Sequence, residues 1–215
     1  MIGYYNYTVI LTFMSLISAL LGMTLSIDGY TFGAICCLAL SGFFDMLDGP
    51  VARTKQDRNH DERLFGIQLD SLCDLVAFGV LPAVICYNIG IRNPIGTVAM
   101  IYFVTCGVVR LGYFNVRETN FFFSEEVHEK VFIGLPITSI AVIFPIVYTL
   151  SALLSPVAFK VVLTAMLIIV GTLFIANIQI KKPPLRVLAV LCALVIVAMA
   201  VFIAVEFDNI SLLAF

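Results

Sequence analysis

The stretch "FFDMLDGPVARTKQDRNHDERLFGIQLDSLCDLVAFG", residues 43 to 79, decides the fold, because it sets Asp45, Asp48, Asp70 and Asp74 in or beside two long apolar segments. Around it lies a chain of 215 residues that is 61% hydrophobic and 12% charged, with a mean hydropathy of +1.08. Soluble domains carry about 25% charged residues, so the chain reads as an integral membrane protein. Apolar runs over 8–26, 31–53, 64–89, 95–116, 131–151, 157–180 and 185–206 make seven candidate spans, each near the roughly 20 residues that cross a bilayer as a helix. The expected fold is all-α: a polytopic transmembrane helical bundle, with residues 1–215 forming one integral membrane domain.

A formal net charge of -2 offers no basic surplus for nucleic acid, so no nucleic-acid partner is expected. Cys36, Cys37, Cys73, Cys86, Cys106 and Cys192 fall in apolar runs without CxxC pairing and read as small hydrophobes. The first span has no basic n-region and is expected to be a retained helix rather than a cleaved signal. Ten of the twelve basic residues fall in the connections after spans two, four and six or close beside them, with only Arg92 and Lys160 opposite. By the positive-inside tendency that face is cytoplasmic, which puts the N-terminus inside. His60 and His128 read as solvated loop residues, Tyr4, Tyr5 and Tyr7 as an aromatic belt, and Phe121–Phe123 with the following "SEEVHEK" as an interfacial segment.

Helical spacing then aligns the aspartates. Asp45 and Asp48 are three residues apart at the cytoplasmic end of span two, and Asp70 and Asp74 four apart at the same end of span three, so each pair shares a helix face. A short connection makes the two spans antiparallel neighbours. An aspartate facing lipid at a span centre costs on the order of 3 kcal/mol on insertion scales, so the four should point inward. Inward carboxylates repel unless cations neutralise them, and two divalent ions would cancel four charges. Oxygen-only donors suit Mg²⁺, Mn²⁺ or Ca²⁺. Asp57 and Asp61, in the polar connection, read as ordinary loop charges.

Small residues sit beside this acidic face. Gly49 and Ala52 continue the stripe of Asp45 and Asp48, and Gly66 lies one turn before Asp70, which leaves room for a bulky group to approach. Arg53 follows Ala52 and supplies donors suited to phosphate. Paired metals beside a phosphate point to phosphoryl transfer, since they polarise its oxygens and stabilise charge on the leaving group.

Written out, Asp45-Met-Leu-Asp48-Gly49-Pro-Val-Ala52-Arg53, a loop, then Gly66-Ile-Gln-Leu-Asp70-Ser-Leu-Cys-Asp74 resembles the signature of the CDP-alcohol phosphotransferases, DxxDGxxAR…GxxxDxxxD, at all eight fixed positions. The resemblance implies a six-helix membrane core, here with one further C-terminal span at 185–206, that works as a homodimer and releases CMP from a CDP-linked donor. It implies two divalent cations, Mg²⁺ or Mn²⁺, held by Asp45, Asp48, Asp70 and Asp74, with Asp74 also the catalytic base. It implies CDP and phosphate binding by Asp48, Gly49, Ala52, Arg53 and Gly66. The twelve-residue connection from Arg53 to Gly66 is longer than the family pattern suggests, and Pro50 is expected to kink or break span two.

"LDSLCDLVAFGVLPAVI" (69–85), "VVRLGYFNVRE" (108–118) and "VFIGLPITS" (131–139) resemble segments of the bacterial and archaeal phosphatidylserine synthases within that family. That implies CDP-diacylglycerol as donor, serine as acceptor, phosphatidylserine as product, and a bacterial or archaeal cytoplasmic membrane with the site near the cytoplasmic face. Arg110, Asn115 and Arg117 are the candidate acceptor-binding residues, because an arginine can grip a carboxylate through two parallel hydrogen bonds. The alternatives within the family are another acceptor (inositol phosphate, glycerol phosphate, choline) or an archaeal-lipid donor. The alternative of a different class is a cation transporter, which would not explain Gly49, Ala52, Arg53 and Gly66 together.

Overall fold

The computed structural model describes residues 3, 4, 7–52, 59–123 and 131–181, together with 193, 197 and 200. Within them the chain is an antiparallel helical bundle. Helix α1 covers Ile10–Ile27 and α2 Thr31–Ala52. A third rod runs from His60 to Asn88, built from α3 (His60–Asp74), one π-helical stretch (Leu75–Val80) and α4 (Leu81–Asn88). Helix α5 covers Pro94–Phe123, α6 Ile140–Tyr148 and α7 Pro156–Ile175. Among the described residues five rods are long and apolar enough to cross a membrane, and the broken segment Ile137–Ala152 is a shorter apolar sixth. The expected seventh span, 185–206, lies outside the described residues apart from three isolated positions.

Local chemistry explains where the rods begin and turn. Asn93 accepts from the Gly96 amide at 2.8 Å before a helix whose first residue is Pro94, and Ser155 accepts from the Ala158 amide at 3.3 Å before Pro156. Both pair a side-chain cap with a proline already set to the helical φ. Between α1 and α2 the Gly29 backbone has φ +88°, and the Tyr30 amide reaches back to the Leu25 carbonyl at 2.8 Å. This glycine closure satisfies carbonyls that would otherwise face lipid or solvent unpaired. The π-helical stretch begins directly after Asp74 and ends just before Pro82. A π-turn shifts the helical register there and accommodates a proline that cannot donate to the ladder.

Three expectations need correction. The run 131–151 is not one helix: Val131–Ile133 forms a short strand, β1, followed by a turn, a 3-10 segment and α6. The run 157–180 stops being helical at Ile175, and Gln179–Lys181 forms β2, antiparallel to β1 with Phe132 opposite Ile180. The cause is the Gly134-Leu135-Pro136 turn. Gly134 has φ +75°, and a Cβ there would lie 2.6 Å from the Phe174 carbonyl oxygen. The Gly134 amide instead donates to Ile178 O at 2.8 Å and Leu135 N to Leu173 O at 2.9 Å. Thirdly, Pro50 does not end α2, which continues to Ala52. A proline removes a single bond to the carbonyl four residues back, and α2 runs two residues past it.

The core lies where the rods converge. Phe78, Leu81 and Ile85 from the third rod, Phe103 from α5, Phe144 from α6 and Leu167 from α7 are fully buried. Apolar residues such as Ile17, Ile101 and Val161 point outward. In lipid that outward surface has no hydrophobic drive to pack, so association rests on close fit and on polar contacts between helices. The α1–α2 interface has both. A Cβ on Gly22 would come 2.9 Å from Cys37 Cβ, and hydroxyls of Ser15, Ser18 and Ser41 bond across the seam.

Candidate metal and phosphoryl-transfer site

The α2–α3 end of the bundle gathers the acidic residues. Asp45 projects from the penultimate turn of α2 and Asp70 and Asp74 from the last two turns of α3. One carboxylate oxygen from each of these three lies within 4.8 Å of the others. Asp48, one turn beyond Asp45, stands beside the trio within electrostatic range of Asp45, Asp70 and Asp74. Its Oδ2 accepts a hydrogen bond from Thr12 Oγ1 of α1 at 3.3 Å. Asp74 is 8% exposed.

The donors suit a hard divalent cation. All are carboxylate oxygens, and bond lengths of about 2.1 Å for Mg²⁺ or roughly 2.3–2.6 Å for Ca²⁺ put opposite ligands about 4–5 Å apart. Among the described residues Asp70 Oδ1 is buried with no hydrogen-bond partner. A buried acceptor without a partner carries its full desolvation cost. A bound cation would remove that cost at this atom.

The surrounding positions divide. Gly49 and Ala52 lie in the last turn of α2, while Arg53 lies outside the described residues, as do His128 and residues 124–130. A Cβ on Gly66 would meet nothing within 4 Å, so this glycine borders open space and packing alone does not demand it. On α5, Arg110 is 6% exposed and its Nε donates to the Leu135 carbonyl at 3.1 Å, which ties it to the glycine turn. Arg117 lies two turns further along α5, within electrostatic range of Arg110. Asn115 is already engaged: its Oδ1 accepts from Ser71 Oγ at 2.6 Å and its Nδ2 donates to Gln68 Oε1 at 3.0 Å. These bonds fasten α5 to the part of α3 that carries Asp70 and Asp74.

Sequence reasoning missed Thr12, Ser71 and Gln68. Thr12, Ser15 and Ser18 fall at three-residue intervals in an apolar span, a spacing that could have marked a polar face directed at a neighbouring helix.

With this geometry established, comparison with known proteins is decisive for the family. The family model for CDP-alcohol phosphatidyltransferase matches residues 5–205. The chain belongs to that family. Among its relatives, a CDP-diacylglycerol–serine O-phosphatidyltransferase of Methanocaldococcus jannaschii is 31% identical over 176 residues, covering 82% of this chain and 74% of that protein. The CDP-diacylglycerol–serine O-phosphatidyltransferase of Saccharomyces cerevisiae is 42% identical over 107 residues, covering 49% of this chain and 37% of its own length. An archaetidylserine synthase of Methanothermobacter thermautotrophicus is 36% identical over 134 residues, covering 62% of this chain and 53% of its own. The yeast and Methanothermobacter alignments thus span less than two thirds of those relatives. In this member of the family, Asp45, Asp70 and Asp74 come together where α2 and α3 meet.

Proposed function

We propose that the protein transfers a phosphatidyl group from CDP-diacylglycerol to L-serine, giving phosphatidylserine and CMP, with two divalent cations, Mg²⁺ or Mn²⁺. The observation that carries the reading is the convergence of Asp45, Asp70 and Asp74, with Asp48 alongside, on a family signature inside a membrane bundle. Serine as acceptor is supported by relatives that bear that name and by the buried Arg110.

Asp45, Asp48, Asp70 and Asp74 would hold the cations, which when bound would neutralise the carboxylates and polarise the pyrophosphate oxygens. Gly49, Ala52 and Gly66 leave space for the nucleotide, and Arg53 steadies its phosphates. The donor approaches from the side with its acyl chains still in lipid. Asp74 accepts the proton of the serine hydroxyl, whose oxygen bonds to the lipid-bearing phosphorus as the bond from that phosphorus to the CMP phosphate oxygen breaks. Arg110 and Arg117 supply positive charge for the serine carboxylate, and Asn115 joins this part of α5 to α3 through Ser71 and Gln68. The site faces the cytoplasm, where the basic residues concentrate, in a bacterial or archaeal cytoplasmic membrane. The working unit is a homodimer.

The archaetidylserine synthase among the relatives supports an ether-lipid donor as a second reading of the same site. Family membership favours either form of transferase over a cation transporter. The test is CMP release by purified protein in detergent, with CDP-diacylglycerol or its ether analogue and Mn²⁺ or Mg²⁺, adding serine, inositol phosphate, glycerol phosphate or choline singly. Serine-dependent release abolished by chelator is expected. Release with another alcohol would overturn the acceptor, and release from neither donor with any alcohol would overturn the transferase reading.

A further inference from the structure

Helix α1 carries none of the signature residues, yet its buried face runs alongside them. Thr12, Ser15, Ser18 and Gly22 follow one another at intervals of three and four and are all buried, which places them on one stripe. Opposite them α2 presents Asp48, Ser41 and Cys37. The contacts form an antiparallel ladder: Thr12 Oγ1 to Asp48 Oδ2 at 3.3 Å, Ser15 Oγ to Ser41 O at 3.2 Å with Ser41 Oγ returning to Ser15 O at 2.9 Å, and Ser18 Oγ to Cys37 O at 2.9 Å. The serine rungs end on backbone and fix the axial register of the two helices. The top rung alone ends on a side chain of the acidic site.

We infer that Thr12 is a positioning residue that holds the Asp48 carboxylate in its working orientation, so that α1 is part of the site. The inference rests on the reading of Asp48 as a cation and nucleotide-phosphate ligand. Thr12 is 7% exposed and donates sideways from a neighbouring helix. A hydroxyl bonded to Asp48 Oδ2 restrains the side-chain torsion of a carboxylate that lies within electrostatic range of Asp45, Asp70 and Asp74. Such supporting bonds orient a ligand carboxylate and set its affinity for the ion, and losing one typically costs about 10- to 100-fold in metal affinity or activity. The serine rungs below supply the rigidity that makes a single hydroxyl an effective constraint. Ser15 and Ser18 therefore act on register and Thr12 on a ligand.

The test measures Mn²⁺ affinity by electron paramagnetic resonance of purified protein in detergent, with thermal unfolding in chelator and CMP release alongside. Thr12→Val keeps the shape of the side chain and removes its donor, Thr12→Ser keeps the donor, and Thr12→Ala guards against a packing defect peculiar to valine. Thr12→Val and Thr12→Ala should each weaken Mn²⁺ by about 10-fold or more with thermal unfolding close to wild type, and Thr12→Ser should restore affinity. In the double mutant with Asp48→Asn, Thr12→Val should add little further loss, because its effect passes through Asp48. Wild-type affinity and turnover in Thr12→Val, or an equal loss of affinity in Ser15→Ala, would overturn the inference while leaving the transferase reading intact. Absence of saturable Mn²⁺ binding and CMP release in the wild type would overturn that reading, and the role of Thr12 with it.

Discussion

The α1–α2 seam and the α2–α3 acidic cluster place polar side chains at adjoining positions of one bundle, and they are resolved in opposite ways. Among the described residues the buried hydroxyls along the seam have partners: Ser15 and Ser41 exchange bonds and Ser18 meets a carbonyl, while further along α1 Asn88 Nδ2 of α4 donates to Ser26 Oγ at 3.0 Å. In the cluster, three carboxylates crowd together and Asp70 Oδ1 has no partner among the described residues. Buried polar groups that are complete among themselves hold helices together. Groups left incomplete in a similar setting need something from outside, and carboxylates of one sign need a cation. The seam therefore reads as architecture and the cluster as a site.

If that contrast is right, substitutions in the two regions should have crossed effects. Asp74→Asn, in the cluster, should lower turnover by about 10²- to 10⁴-fold, the range of a lost general base, while the detergent-solubilised protein unfolds no earlier than wild type in chelator. Near-normal CMP release in that variant would remove Asp74 as the base. Arg110→Met tests the boundary between the regions, since Arg110 is both an acceptor candidate and a structural donor to Leu135 O. Loss of a charged donor to this part-buried carbonyl should cost about 1.5–3 kcal/mol of stability, together with a raised KM for serine. A stability loss with KM unchanged would make Arg110 purely architectural. Gly134→Ala is expected to lose about 1–3 kcal/mol in thermal unfolding from its left-handed backbone alone, plus whatever movement relieves the contact with the Phe174 carbonyl. Ser18→Ala should have the smallest effect, about 0.6 kcal/mol, the average for an interhelical hydrogen bond in a membrane protein. Its kcat should be unchanged; a large fall would erase the distinction between seam and site.

What could be read from the sequence divides along the same line. The aspartates were legible because charge inside apolar runs is costly and their spacings of three and four place each pair on one face. Thr12 was not, for a physical reason: a threonine in a span has two uses that sequence does not distinguish. Thr105, Thr164 and Thr172 each bond the carbonyl four residues back in their own helix, whereas Thr12 reaches across to α2. The same ambiguity applies to Asn115, a candidate for binding the acceptor whose amide also bonds Ser71 and Gln68 of α3. The run 131–151 looked continuous because Gly134 and Pro136 are too few to dilute its apolar character. Only the carbonyls at the end of α7 show why the chain must turn there.

The central claim is that the incomplete cluster is a cation site, and equilibrium Mn²⁺ binding to purified wild type and Asp70→Asn, measured by electron paramagnetic resonance, tests it most directly. Saturable binding in the wild type that is lost in Asp70→Asn, with both proteins folded, is the predicted result. Equal binding in the two proteins, or none in the wild type, would contradict it.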